Sequence, residues 1–344
     1  MSSSCCADKH KVQTFFHHKL FWLVLATLAL LGASYGFSFL AGFRQAFLAY
    51  GRMVFWPLVL GLMLGGLIDY YVPREYVSVI LSGKRKRNIF YAVVWGFLMT
   101  LCSHGILALA IQLYKKGAAP SAVVAFLLAS PWANFPLTLM LAGFFGPLKA
   151  AYIILAAIVV ALVTGWIFQV FEQQGMIEAN PHAVDVQVDF DMAADFRARM
   201  AAQSRFDLRS DARGIAKGIW ELSEMTLWWI MLGMILAAAA GTFIPPHIFH
   251  QFMGKSVGGM ITTLAAATLI ESCSSGTAPL AFEIYRQTGA LGNALVFLMA
   301  GVATNYTQIG LLWANAGRRT ALWLPVICVP LILIFGYIGN KIFF

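Results

Sequence analysis

Cys102-Ser103-His104-Gly105 and Cys273-Ser274-Ser275-Gly276 are one element written twice, because sliding the chain 171 positions along itself keeps both halves in register around them. The same shift lays Leu109 on Leu280, Tyr114 on Tyr285, Phe126-Leu127 on Phe297-Leu298, Asn134 on Asn305 and Gly146 on Gly317 without a gap. Between Cys102 and Gly146, 13 of 45 positions match. With one residue of slack upstream, Leu60-Gly61 falls on Leu232-Gly233 and Val72-Pro73 on Ile244-Pro245, so the duplication covers most of the chain. A period this long is no solenoid. In a membrane protein, two related halves with interrupted apolar segments point to a site between them.

Composition places the chain in a bilayer. Of its 344 residues 60% are hydrophobic and 11% charged, with a mean hydropathy of +0.75, which a water-facing surface of this size does not tolerate. Stretches long enough to span, roughly 20 residues each, run near 21–42, 53–72, 90–112, 121–144, 150–171, 226–245, 258–284, 290–313 and 319–339. The fold class expected is an all-α polytopic membrane protein of two inverted repeats, with broken or re-entrant helices at the midplane. Its parts are a cytosolic tail (1–20), an extra N-terminal transmembrane helix (21–44), repeat 1 (45–171), a hydrophilic cytosolic connector (172–217) and repeat 2 (218–344). Residues 191–217 of the connector read as an amphipathic helix on the inner membrane face. The first apolar stretch is too long for a signal peptide and lacks a clear small-residue cleavage site, so it reads as an uncleaved anchor.

Three apolar segments are interrupted: the two that carry the Cys-Ser element, and the one holding Ser130-Pro131-Trp132-Ala133-Asn134-Phe135-Pro136. Prolines remove backbone donors, and Gly105 and Gly276 permit turns. Such breaks survive in lipid only where the freed backbone is buried in protein or lines a wet cavity. Charge sets the topology. Nine plain crossings split the 24 Lys and Arg evenly, 12 to 12, whereas one re-entrant segment per half gives 18 to 6 or 17 to 7 in favour of the inside. The first split follows if the Cys-Ser segment re-enters and the second if the Asn segment does, so charge leaves that choice open. Each repeat then crosses an odd number of times and the halves are inverted. The expectation is a multi-pass protein of the cell inner (plasma) membrane with a cytoplasmic N-terminus. The net charge of +9 is explained by positive-inside residues, and no basic patch interleaved with aromatics argues for nucleic acid.

Cys102 and Cys273 each follow an apolar run and open a Ser/Gly turn, and inverted symmetry brings the two thiols toward a common depth. Thiols there suit soft ligands. The bland alternative is a pair of small buried hydrophobes at helix breaks. Glu271, two residues before Cys273, is an ionisable group in an apolar segment and is read as a proton-coupling residue. His104 stands where the second half has Ser275, as ligand or proton carrier. Asn134 and Asn305 hold equivalent positions and either bind substrate oxygens or cap broken helices. The substrate-binding set is therefore Cys102, Ser103, His104, Asn134, Cys273, Ser274 and Asn305, with Cys102, Cys273 and His104 as metal(loid) ligands and no catalytic residue. Cys5-Cys6 with His10, His17 and His18 reads as solvated tail, and Cys328 lies alone in an apolar span, so no disulfide framework is expected. No cofactor is implied, and no nucleotide-binding Gly-x-x-x-x-Gly-Lys-Ser/Thr motif occurs.

The Cys-Ser-x-Gly turn, the run from Gly117 to Asn134 that ends Ser-Pro-Trp-Ala-Asn, and the second-half copy resemble the YraQ-like predicted permeases, a family that includes ArsP-type organoarsenical efflux permeases. The likeness covers most of the chain apart from the tail and the connector. It implies an inner-membrane permease, not an enzyme, in which Cys102, Cys273 and the two Asn turns line the pathway. The family's first-half turn often carries a second cysteine where His104 stands here, which weighs against a thiol-pair arsenic site.

Three readings follow. The first is secondary-active efflux of a soft metal(loid) or organometalloid species. The second is a transmembrane electron conduit in which Cys102 and Cys273 alternate between dithiol and disulfide. The third is permeation of a small sulfur-containing anion, with half-helix N-termini supplying positive dipole ends. Partners expected are membrane lipid and the small substrate, with self-association into a homo-oligomer left open.

Overall fold

The computed structural model describes residues 22–37, 40–71, 87–98, 103–115, 117–132, 135–181, 208–270 and 274–343, and among these the chain is helical with no strand. Fourteen helices follow in order: α1 (Trp22–Gly36), α2 (Ala41–Tyr71), α3 (Arg87–Leu98), α4 (Ser103–Lys115), α5 (Pro120–Trp132), α6 (Phe135–Phe145), α7 (Pro147–Gln173), α8 (Leu208–Phe243), α9 (Pro246–Met253), α10 (Val257–Leu269), α11 (Ser274–Thr288), α12 (Leu291–Ala303), α13 (Tyr306–Asn315) and α14 (Arg318–Ile342).

Helix starts repeat with the sequence. Ser103 and Ser274, Pro120 and Leu291, Phe135 and Tyr306, and Pro147 and Arg318 open α4/α11, α5/α12, α6/α13 and α7/α14, each pair at the 171-residue offset that aligns the sequence. Gly146 and Gly317 hold the residue before α7 and α14 at φ 80° and 110°, a left-handed conformation that only glycine adopts without strain.

By length and composition four of the described helices cross a bilayer alone, and counting two bent pairs as single spans gives six. The apolar stretches of the sequence are more numerous because several are cut. The stretch 90–112 becomes α3 and α4, 258–284 becomes α10 and α11, and 121–144 becomes α5 and α6, bent by 45°. A fourth break, at Thr304-Asn305, separates α12 from α13, which still run as one span. Residues 208–217 enter α8 directly, so one 36-residue helix joins the end of the connector to the following apolar stretch.

At the centre lie α5 and α12. All thirteen residues of each are buried, which matches sequences apolar on every face. Around α5 pack α3, α4 and α7, and around α12 pack the matching α10, α11 and α14. The equivalent last helices, α7 and α14, run antiparallel: Tyr152 donates to the carbonyl of Phe335 at 2.6 Å, Thr164 meets Cys328 at 3.5 Å, and Glu178, just beyond α7, reaches the start of α14. So do α2 and α8, where Gly42 faces Thr242 and Gly51 faces Met234.

The ends of the short helices sort with these two pairs. Asn180, past the end of α7, donates to the carbonyls of Tyr114 and Ala118 at 2.7 and 2.8 Å and so holds the end of α4 there. Gly165, late in α7, lies against Ile89 near the start of α3. At the opposite end Lys149, early in α7, donates to the Tyr285 hydroxyl at 2.6 Å near the end of α11. Asn293, early in α12, donates to the carbonyls of Met253 and Gly254 just before α10. Thus α3 and α4 have their outer ends at one end of the bundle, and α10 and α11 at the other.

Candidate functional site at the helix breaks

Apolar runs this long would form unbroken helices but for the Gly, Pro and Ser/Asn residues at their centres, and each break leaves a half-helix end inside the bundle. In the first half Phe97 meets Phe135 edge to face, centroids 5.3 Å apart, which sets the end of α3 beside the start of α6. In the second half the hydroxyls of Thr268 and Thr304 meet at 2.8 Å and set the end of α10 beside the Asn305 break. The halves then join through α6 on α11, α4 on α13 and α5 on α12. Four half-helices, α4, α6, α11 and α13, begin at the breaks, each with first-turn N–H groups that have no helical acceptor and a positive dipole end.

Of the residues singled out in the sequence, Ser103 and His104 lie in the first turn of α4 and Ser274 opens α11. Asn305 is the N-cap of α13, its side-chain oxygen accepting from the Gln308 N–H at 3.0 Å, which realises the capping alternative. Cys102, Asn134, Glu271 and Cys273 fall outside the described residues, as does the Cys5-Cys6 tail. Among the described residues no three His, Cys, Asp or Glu side chains gather as a metal site. Cys328 is buried against Thr164, as expected of a lone cysteine in an apolar span. Donors without partners flank the breaks: the Trp132 indole N–H at the end of α5, the Thr138 hydroxyl in α6 and the Gln308 amide in α13 are buried with none.

The sequence reading missed Glu283. This carboxylate is 1% exposed in the third turn of α11. It accepts from Arg286 at 2.7 and 2.8 Å, from Gln287 at 2.7 Å and from the Tyr50 hydroxyl of α2. Tyr50 stands edge-on to Phe144 of α6 and Phe282 of α11, which stack on each other at 4.9 Å, and Gly241 of α8 closes the pocket over the carboxylate. Four helices thus meet at one buried charge whose lone pairs are filled by donors, the condition under which such burial is tolerated. The signal was available: the aligned residues of the first half are Gln112 and Lys115, so the duplicate carries an acid only here.

Outside the apolar helices, Glu178 sits at the N-terminus of α14, accepting from the N–H groups of Arg319 and Thr320 at 2.9 and 3.0 Å and from the Thr320 hydroxyl at 3.1 Å. Partial burial pushes its pKa up, but these donors together outweigh that and hold the carboxyl below its ordinary value of 4.5.

Comparison with known proteins fits this architecture. Over 282 residues the chain is 22% identical to UPF0718 protein YcgR of Bacillus subtilis, covering 80% of this chain and 89% of the relative. It is 23% identical over 249 residues to the putative permease Rv2963 of Mycobacterium tuberculosis, covering 67% of this chain and 59% of that protein. No solved structure matches. The ArsP_1 family, described as predicted permeases, matches residues 40–341, nearly the whole described bundle. With apolar helices that cross a bilayer and a fold built around interrupted spans, the chain is a multi-pass membrane permease and belongs to the ArsP_1 family of predicted permeases.

Proposed function

We propose that the chain is a secondary-active permease of the inner membrane that carries a soft metal(loid) or organometalloid species outward, through a site between two inverted halves. The observation that carries this reading is that in each half the helix preceding the Cys-Ser element ends against a residue next to the Asn position, Phe97 on Phe135 and Thr268 on Thr304. Cys102 and Cys273, with His104, are the transient soft ligands, Ser103, Ser274, Asn134 and Asn305 line the path, and Glu271 carries the coupling proton. Inversion is supported by the antiparallel runs of α2 with α8 and α7 with α14. It is supported too by the outer ends of α3/α4 and α10/α11 lying at opposite ends of the bundle, an arrangement that favours the Cys-Ser segments as the re-entrant ones.

Survival of an export-deficient bacterial host tests it, across graded arsenite, methylarsenite, mercury and copper. The chain should protect against at least one, and the Cys102→Ser/Cys273→Ser double variant should lose that protection. Protection undiminished in the double variant, with Glu271→Gln also unaffected, would overturn the site. A second reading, permeation of a small sulfur-containing anion, is favoured by the four half-helices that begin at the breaks and by the unpartnered donors of Trp132 and Gln308. It predicts uptake or export of thiosulfate by proteoliposomes and no metal(loid) protection.

A further inference from the structure

Equivalent helices of the two halves are covered differently. Gly61 of α2 lies on the backbone of Pro136 in the first turn of α6, where an added Cβ would come within 2.5 Å. Gly233, its aligned counterpart in α8, lies on the backbone of Gly276 in the first turn of α11, closer still. As an antiparallel pair, α2 and α8 therefore cover a surface made by α6 of the first half and α11 of the second, and no comparable packing joins α2 to α4 or α8 to α13 among the described residues. By the duplication, α4 and α13 carry the same surface over again. Among the described residues it is open: Gln112 is exposed where Glu283 is buried, Leu311 is 38% exposed where Met140 is 1%, and an added Cβ at Gly310 meets no atom within 4 Å.

We propose that the α4/α13 surface is a second dock for the same α2/α8 pair, and that Tyr50 with Glu283 latches the pair on the first. In the second dock Gly61 comes onto Gly105 and Gly233 onto Thr307, the mirror of the present contacts under exchange of halves. A glycine at each crossing lets backbones close without interlocked side chains, so one pair of helices fits two nearly equivalent surfaces. The surfaces differ in side chains such as Phe144 against Asn315 and Phe282 against Ile111, and in charge at the latch. Tyr50, Arg286 and Gln287 fill the Glu283 carboxylate, whereas Gln112 beside Lys115 offers no charge to hold. That difference favours the present dock and leaves the other as the minor state. Moving the pair from one dock to the other uncovers α6 and α11 toward one end of the bundle and covers α4 and α13 toward the other. The proposal rests on the inverted arrangement given above.

Distances between spin labels in the full chain, reconstituted in lipid nanodiscs with its native cysteines replaced by serine, test it. Labels at Leu64 of α2 and Gln112 of α4 should move closer in the second dock, and labels at Leu48 of α2 and Leu148 at the start of α7 should move apart, each by roughly 10 Å, one helix diameter. Glu283→Gln and Tyr50→Phe should each add that second population to both pairs. Tyr50→Phe keeps the ring among Phe144 and Phe282, so it folds even where the carboxamide does not. A single unchanged distance for both pairs in folded Tyr50→Phe protein overturns the second dock. Side-specific thiol labelling of Leu148→Cys and Arg319→Cys, the aligned starts of α7 and α14, tests inversion separately: reaction from the same side sinks the inverted arrangement, whatever the distances show.

Discussion

In α6, Pro136, Leu137, Met140, Leu141, Phe144 and Phe145 are buried, whereas in the aligned α13 only Gln308 and Leu312 are. The two helices start at the same register and follow breaks at matching Asn residues, so local sequence does not account for the contrast. What differs is the neighbour: α2 lies on α6, and among the described residues nothing comparable lies on α13. Between α4 and α11 the contrast runs the other way, with Glu283 of α11 covered and the aligned Gln112 of α4 exposed. Duplication copies surfaces, and one pair of helices covers one copy at a time.

The comparison can be broken most directly at Gly233. Gly233→Leu drives a side chain into the Gly276 backbone and should cost about 3 kcal/mol or more, the upper end for an overpacked site with no flexible partner to yield. Gly310→Ala, in open space on the bare surface, should gain up to about 1 kcal/mol from helix propensity alone. Thermal unfolding in detergent reads both, and equal shifts would mean that α8 and α11 are not in close contact. Next comes Glu283→Ala, which leaves Arg286 and the Tyr50 hydroxyl without their acceptor. It should lose about 2–3 kcal/mol, less than a fully buried pair because the Arg286 side chain is 46% exposed. Gln112→Ala at the aligned position should stay within about 0.5 kcal/mol.

Smaller effects sharpen the contrast at the helix starts. Glu178→Gln should weaken α14 by about 1 kcal/mol, as the loss of a carboxylate from a helix N-terminus does. Because the folded pKa lies below the ordinary value, the stabilisation is present above pH 4.5 and disappears as pH falls through the lower, folded value. Acid unfolding of the wild type should therefore shift below pH 4.5 in a way that the Gln variant lacks. Asn305→Ala removes the cap of α13 and should cost roughly 0.5–1 kcal/mol. Hydrogen exchange at Gln308 should quicken, and an unchanged rate would assign Asn305 to the pathway rather than the cap.

Much of this was legible before any coordinates. The duplication, its offset, the cut spans and the pairing of Gly61 with Gly233 all follow from residue types that interrupt or tighten helices, and such signals are local. The choice of re-entrant segment was not legible, because basic residues sit at both ends of each candidate and the two topologies split them almost equally. The Thr304-Asn305 break was less marked than its partner for lack of proline. Glu283 hid near the end of an apolar stretch, where an acid beside an arginine three residues on resembles an ordinary wet helix end. Only the arrival of Tyr50 from 233 positions upstream makes it interior, and no periodicity reports on that.

The strap beyond α7 has a consequence for where the molecule can be divided. Glu178 caps α14 and Asn180 seals the end of α4, so the short stretch from Gln174 to Asn180 closes one boundary of each half. A cut after Gln173 leaves Glu178 joined to the fragment that holds α14, whereas a cut beyond Asn180 leaves it with the fragment that holds α4 and α7. Reassembly from two separately made pieces should then depend less on the apolar faces they share than on which piece inherits Glu178.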